Sequence, residues 1–290
     1  MIIDAQVHCY ETDSPARPWA AQMPGPPSAT GGNQIAAMDE IGVDAAIVVS
    51  PWHNYRYDSS YGADVCRAYP SRFRLVTPID PYDSAAAEQV TEAAQALGAV
   101  GIRLFPGDAF DAGLGSASFK ASDRDVAKTI HAAVLQALPV CIFCSGTSGI
   151  TPDTVGDLAR LYPDAQLVLD HLGLIRPFTP SPSEWYFSQL DSVLALAQYP
   201  NVAIKVSHVC ELSHEPYPFE DIWEPLGRVF ETFGIDRCMW ASDWTVTADV
   251  VSYRDCVSAF RDRSQLSAGD RAALMGETLQ RIYTWDAALS

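Results

Sequence analysis

The sequence predicts a distorted (β/α)8 TIM barrel with long loops at its C-terminal face, and three observations predict it. Eight short apolar runs alternate with longer amphipathic stretches along 290 residues, the βαβα pattern of an α/β protein. Most of these runs are continuously apolar rather than alternating, as strands covered by helices are. No GxGxxG or GxxxxGK[ST] loop follows an early run, which sets aside the open nucleotide-binding sheets.

Strand one is read at 2–8, IIDAQVH, followed by the Pro/Gly-rich 16–32, ARPWAAQMPGPPSATGG, as a loop over the barrel mouth. Strands two to eight are read at 44–50, 74–80, 99–105, 139–144, 165–171, 202–208 and 238–244. Helical periodicity fills 84–98, 122–138 and 151–162. Ser84, Ser122 and Thr151 are expected as N-caps, with Pro152 at a first helical position. A second Pro-rich loop, 175–187, follows strand six; the last helical stretch, 267–285 with Ser267 as its cap, is expected outside the barrel. No linker divides the chain, so 1–290 reads as one domain.

Apolar residues make up 48% of the chain, enough for a large core, and the formal net charge is -17. That charge argues against nucleic acid and anionic membranes as partners. No apolar run is long enough to span a bilayer and no leader pattern opens the chain. Seven scattered cysteines within apolar runs read as reduced core thiols, and together these features give a cytoplasmic expectation. The CxxC of Cys141 and Cys144 lacks a second pair and reads as core.

Barrel sites lie at the C-terminal ends of strands, and polar residues gather there. Gln6 and His8 end strand one; being two apart, they face one space. Ser50, Trp52 and His53 follow strand two, Asp80 ends three, and Arg103 lies on four. Cys144 and Ser145 end five, His171 ends six, Lys205, Ser207 and His208 lie on seven, and Asp243 ends eight. So many polar groups on buried strands are unfavourable unless paired or functional. Arg103 and Lys205 are expected at the mouth, either as anchors for a substrate carboxylate or paired with a buried carboxylate such as Asp4 or Asp80. The aromatic stretch 50–61 suggests a wall for a flat substrate from Trp52, His53, Tyr55 and Tyr57, completed by Trp19, Phe178, Trp185 and Trp244. His214, in the loop after strand seven, is a further candidate, whereas His131 on a helix is structural.

DAQVHCY, GVDAAIVVSP, VGIRLFP, LVLDHLG and MWASDW, in this order, resemble the amidohydrolase superfamily. The similarity is to its amidohydrolase-related branch, which includes lactonases of sugar and aromatic-acid catabolism. The resemblance implies a distorted barrel that hydrolyses a lactone, ester or amide. His8 matches the second histidine of the strand-one HxH motif, His171 the strand-six histidine, and Asp243 the aspartate that activates water. Gln6 stands where the first HxH histidine is usual, and Cys144 where metal-binding members carry histidine or lysine. The usual ligand set being broken twice, the expectation is a site without a tightly bound metal; a divalent ion such as zinc would be held by His8, His171 and Asp243.

The expected chemistry is hydrolysis of a small, ring-bearing, anionic lactone or ester. Asp243 would take a proton from water while His8, His171 and Gln6 polarise the carbonyl. Burial is expected to raise the proton affinity of Asp243. The competing readings are a metal-dependent nonoxidative decarboxylase and a non-catalytic barrel that binds a small molecule. Such barrels often form homo-oligomers, but no segment marks an interface.

Overall fold

Eight strands run parallel in chain order: β1 Ile3–Val7, β2 Ala45–Val49, β3 Phe73–Ile79, β4 Ala99–Leu104, β5 Val140–Ile142, β6 Leu167–Leu169, β7 Val202–Val206 and β8 Cys238–Trp240. Each pairs with the next, giving the predicted, nearly closed (β/α)8 barrel. The computed structural model describes residues 1–106, 119–145, 149–175 and 187–285.

Two apolar layers build it. Ile3, Ala5, Ile47, Val76, Val168, Ala203 and Met239 form one buried cluster across the barrel interior. A larger cluster, with Val48, Leu75, Leu104, Leu169 and Val206, joins the other strand faces to the helices. The register of β1 against β2 shifts between Asp4 and Val7. Ile3 and Ala5 therefore join the inner cluster while Val7 joins the outer one, which leaves Gln6 and His8 to the mouth. A bulge re-aims side chains in this way.

Thr151 caps its helix reciprocally with Thr154, with Pro152 in the first turn, and Ser267 caps Ala268–Ala272 through Asp270. Two expected caps move by one residue: Ala85 and Asp123, not Ser84 and Ser122, precede their helices, and neither makes a side-chain cap bond. The C-terminal stretch is also placed differently. Leu279, Ile282, Tyr283 and Trp285 join the inner cluster, and Tyr283 Oη lies 3.1 Å from Cys141 Sγ on β5. This segment plugs the barrel's N-terminal end because the inner apolar residues there need a cover.

β1 and β8 share no ladder among the described residues. Their seam is bridged instead by Asp243 N–H donating to the Gln6 carbonyl (3.0 Å) and by the Asp4 carboxylate. That carboxylate accepts from Ser242 N–H (2.9 Å), Ser242 Oγ–H, Tyr253 O–H (3.0 Å) and Gln6 N–H (3.1 Å).

Candidate active site

Three strands end in a left-handed residue: His171 after β6 (φ 52°), His208 after β7 (φ 61°) and Asp243 after β8 (φ 52°). Non-glycine residues adopt this conformation at a cost of roughly 1 kcal/mol or more each. It persists because neighbours hold it: His171 N–H donates to Ser207 Oγ (3.0 Å), and Asp243 N–H is tied to Gln6. All three side chains are thereby turned into the mouth of the barrel.

Asp243 is the centre, and it is buried. Its Oδ2 accepts from His208 Nε2 (2.6 Å) and from Gln6 Nε2 (3.0 Å). His171 Nε2 lies 3.9 Å from the same oxygen. Oδ1 is 3.2 Å from His8 Nε2 without a directed hydrogen bond. Burial works to raise the Asp243 carboxyl, but the adjacent His208 and His8 outweigh it and hold it well below the usual carboxylate range. The expectation of a raised proton affinity is thus corrected: the histidine charges exceed the desolvation.

The outer nitrogen of each ring is held. His8 Nδ1 bonds the Val49 carbonyl (2.7 Å) and His171 Nδ1 the Ser207 Oγ (2.9 Å), while His208 Nδ1 bonds Glu211. A ring between two carboxylates, as His208 is between Glu211 and Asp243, donates at both nitrogens only when protonated. Arg103 Nη2, a donor, stands 3.5 Å from His171 Nε2, an arrangement that suits the tautomer with its hydrogen on Nδ1.

Below this group runs a buried charge network. Asp170 pairs with Arg103 Nε (2.8 Å) and Lys205 Nζ (3.0 Å), and Lys205 also donates to Gln6 Oε1 (3.2 Å). Burial opposes the Lys205 charge, but Asp170 beside it leaves its pKa raised. The Gln6 amide is oriented by these neighbours, oxygen to the ammonium and nitrogen to the Asp243 carboxylate.

A cavity of about 390 Å³ opens above. His8, Arg103, Ser145, His171, His208 and Asp243 form its polar side, and Met23, Pro24, Pro51, Trp52, His53, Phe105, Phe143 and Val246 the rest. Trp52 packs on Phe105 at 4.4 Å between ring centroids, and Phe105 stacks with Phe143 at 6.0 Å. Met23 and Pro24 bring the loop 16–32 over the mouth, as its sequence suggests.

Of the expected residues, His8, His171, Asp243, Arg103, Trp52 and His53 line this cavity, and Gln6 supports it from beneath. The others lie elsewhere. Lys205 is fully buried and meets Asp170 and Gln6, not the cavity; nor is the partner of Arg103 either Asp4 or Asp80, since Asp170 lies nearer along the barrel rim. Tyr55 is buried with Tyr10, Met23 and Ala29, its Oη accepting from Glu11 N–H (3.0 Å). Cys144 faces the outer core, where burial pushes its thiol up to about 12, so it is no thiolate ligand. His214 is exposed, its N–H donating to Asp221 (2.8 Å). Neither Trp19 nor Trp244 lines the cavity, and Phe178 and Trp185 fall outside the described residues. The sequence reading placed His208 among the strand-end polar residues but gave it no role, and it passed over Asp170 and Glu211. The one available signal was position: His208 ends its strand as His171 does.

The donor set fits a divalent cation. His171, His208 and Asp243 bring ligand atoms within 4.8 Å of one another, and the held Nδ1 atoms orient the rings as metal ligands are oriented. His8 Nε2 stands beside Asp243 Oδ1 at 3.2 Å, at the edge of the same group. The donor set weighs toward the metal alternative, with His208 replacing His8 in the expected ligand set.

The chain is 32% identical over 133 residues to the L-fucono-1,5-lactonase of Burkholderia multivorans, a match covering 40% of this chain and 42% of that protein. Such matches span about two fifths of the curated relatives. Among solved structures, it is similar to a probable 2-pyrone-4,6-dicarboxylic acid hydrolase of Acinetobacter baumannii with citric acid bound (18% identity, TM-score 0.74, covering 98% and 99% of the two chains). A zinc-bound amidohydrolase of Burkholderia multivorans is similar at 20% identity and TM-score 0.75, covering 99% and 100%. A manganese-bound 5-carboxyvanillate decarboxylase of Novosphingobium aromaticivorans is similar at 17% identity and TM-score 0.64, covering 98% and 97%. At these identities the structures share the fold. The family model described as Amidohydrolase matches residues 3–285, nearly the whole chain, and the protein belongs to that family.

Proposed function

We propose that this chain hydrolyses a small lactone whose ring-bearing body carries an anionic group. The observation that supports it most is a buried carboxylate, Asp243, bracketed by His8, His171 and His208 at the floor of an aromatic-walled cavity. The substrate's flat body packs on Trp52, Phe105 and Phe143, and its anionic group meets Arg103. Arg103 is the one lysine or arginine lining the cavity among the described residues, and its guanidinium is stiffened by Asp170 and by the Phe143 face 5.0 Å away.

A carboxylate held as low as Asp243 is a weak base toward bulk water. It acts by orienting water and taking the proton as the new C–O bond forms, when that water becomes acidic. Protonated His208 stabilises the negative charge growing on the carbonyl oxygen. The ring C–O bond then breaks, and the proton taken by Asp243 passes to the departing alkoxide, leaving an alcohol and a carboxylic acid that ionises by releasing its proton to solvent. A divalent cation held by His171, His208 and Asp243 would supply carbonyl polarisation and a more acidic water.

A lactone panel tests this, with product analysis to separate ring opening from carbon dioxide release. Asp243→Asn is expected to lower kcat by about 10²–10⁴; turnover within tenfold of the parent would reject Asp243 as the base. Binding without turnover across the panel would favour a non-catalytic barrel.

A further inference from the structure

We propose that Asp4 is a positioning residue for the reaction: through Ser242 it holds the left-handed turn that places the Asp243 carboxylate. This rests on the proposed role of Asp243. Three successive N–H groups at the turn are fixed to β1, directly or through one hydroxyl. Ser242 N–H donates to Asp4 Oδ1 (2.9 Å) and Asp243 N–H to the Gln6 carbonyl (3.0 Å). Trp244 N–H donates to Ser242 Oγ (3.2 Å), whose own hydrogen goes to Asp4 Oδ2.

Two further donors lock the carboxylate itself. Tyr253 O–H reaches Oδ2 from the helix Tyr253–Arg261 (3.0 Å), and Gln6 N–H reaches Oδ1 (3.1 Å). Asp4 is fully buried and does not line the cavity, so it acts on the substrate only through the backbone it holds. The strained backbone of Asp243 needs such a hold. Apart from the Asp243 N–H bond to the Gln6 carbonyl, the seam has no ladder among the described residues, so Asp4 supplies the other ties at the turn. Asp4 is also tied to the strand that carries Gln6 and His8, so one carboxylate sets both sides of the Asp243 contacts. A displacement of about 1 Å at a reacting group reduces rate by roughly 100-fold.

The test measures kcat and KM with a turned-over lactone for the parent, Asp4→Asn, Ser242→Ala, their double variant, and Ile47→Val as a core control away from the turn. The ¹⁵N histidine spectrum of each gives a readout without substrate. We expect Asp4→Asn to lower kcat about tenfold or more with KM unchanged. The double variant should be no worse than its poorer parent, and the His8 and His208 signals should move while His131 stays fixed. Tyr253→Phe, which removes one donor, should show the same signature at a few-fold and remains informative if Asp4→Asn fails to fold. Unchanged kcat and unmoved His8 and His208 signals, or a loss matched by Ile47→Val, would overturn the proposal. If Asp243→Asn keeps full turnover, the role of Asp243 as base fails instead. The imidazole signals then still decide whether Asp4 places its carboxylate.

Discussion

Asp4 and Asp243 are both fully buried, yet their carboxyls move in opposite directions. Asp4 is raised to about 6 because burial exceeds the help of its four neutral donors, whereas the histidines around Asp243 outweigh the same burial. A raised native carboxyl stays protonated while the unfolded one ionises, so its contribution to stability is present below pH ~4 and lost as pH rises through ~6. The loss is about 3 kcal/mol at 1.36 kcal/mol per unit. Urea titrations from pH 4 to 7 should show the parent losing about this much relative to Asp4→Asn. Gln6 offers a second test. Its amide nitrogen occupies Asp243 Oδ2 with Lys205 just behind it, so a cation there meets a donor in place of a ligand. Gln6→His should tighten zinc binding about tenfold or more by equilibrium dialysis; unchanged affinity would show that the Gln6 amide does not limit cation binding there.

Among the elements, the helices were the most legible. Thr151, Pro152 and an apolar stripe define Pro152–Leu161, and Thr151→Ala should cost about 1 kcal/mol by chemical denaturation, with kcat unchanged. Ser84 and Ser122 have the right chemistry one residue early, a boundary that local preference alone does not fix. Strands were legible as apolar runs, but their facing was not. β5, β6 and β8 are three residues long, too short to carry a phase, and β1 shifts register. Cys144 was therefore assigned to the mouth that Phe143 lines. The left-handed ends of β6, β7 and β8 were equally hidden, because His and Asp in that conformation look like any strand residue in sequence.

For the molecule as a whole, the net charge of -17 and Arg103 pull an anionic substrate in opposite directions. The diffuse surface charge is screened by salt within about 10 Å at 0.1 M, whereas the contact at buried Arg103 is screened much less. KM for an anionic lactone should therefore fall on going from low to ~0.5 M ionic strength, while KM for a neutral analogue stays constant. A rise for the anionic substrate would place its recognition on exposed charge. Among the described residues no helix is long and apolar enough to cross a membrane.

The sequence by itself determined the barrel, because eight buried strands and their helices are written in local hydrophobic pattern. It also determined that Gln6, His8, His171 and Asp243 sit at strand ends, since position along a strand is a local property. Tertiary structure alone decided the partners. Asp170 takes both Arg103 and Lys205 from 67 and 35 residues away, and His208 meets Asp243 35 residues away. Such pairings depend on where each strand stands around the barrel and how each end turns. Closure of the ring fixes both, and no local pattern carries that information.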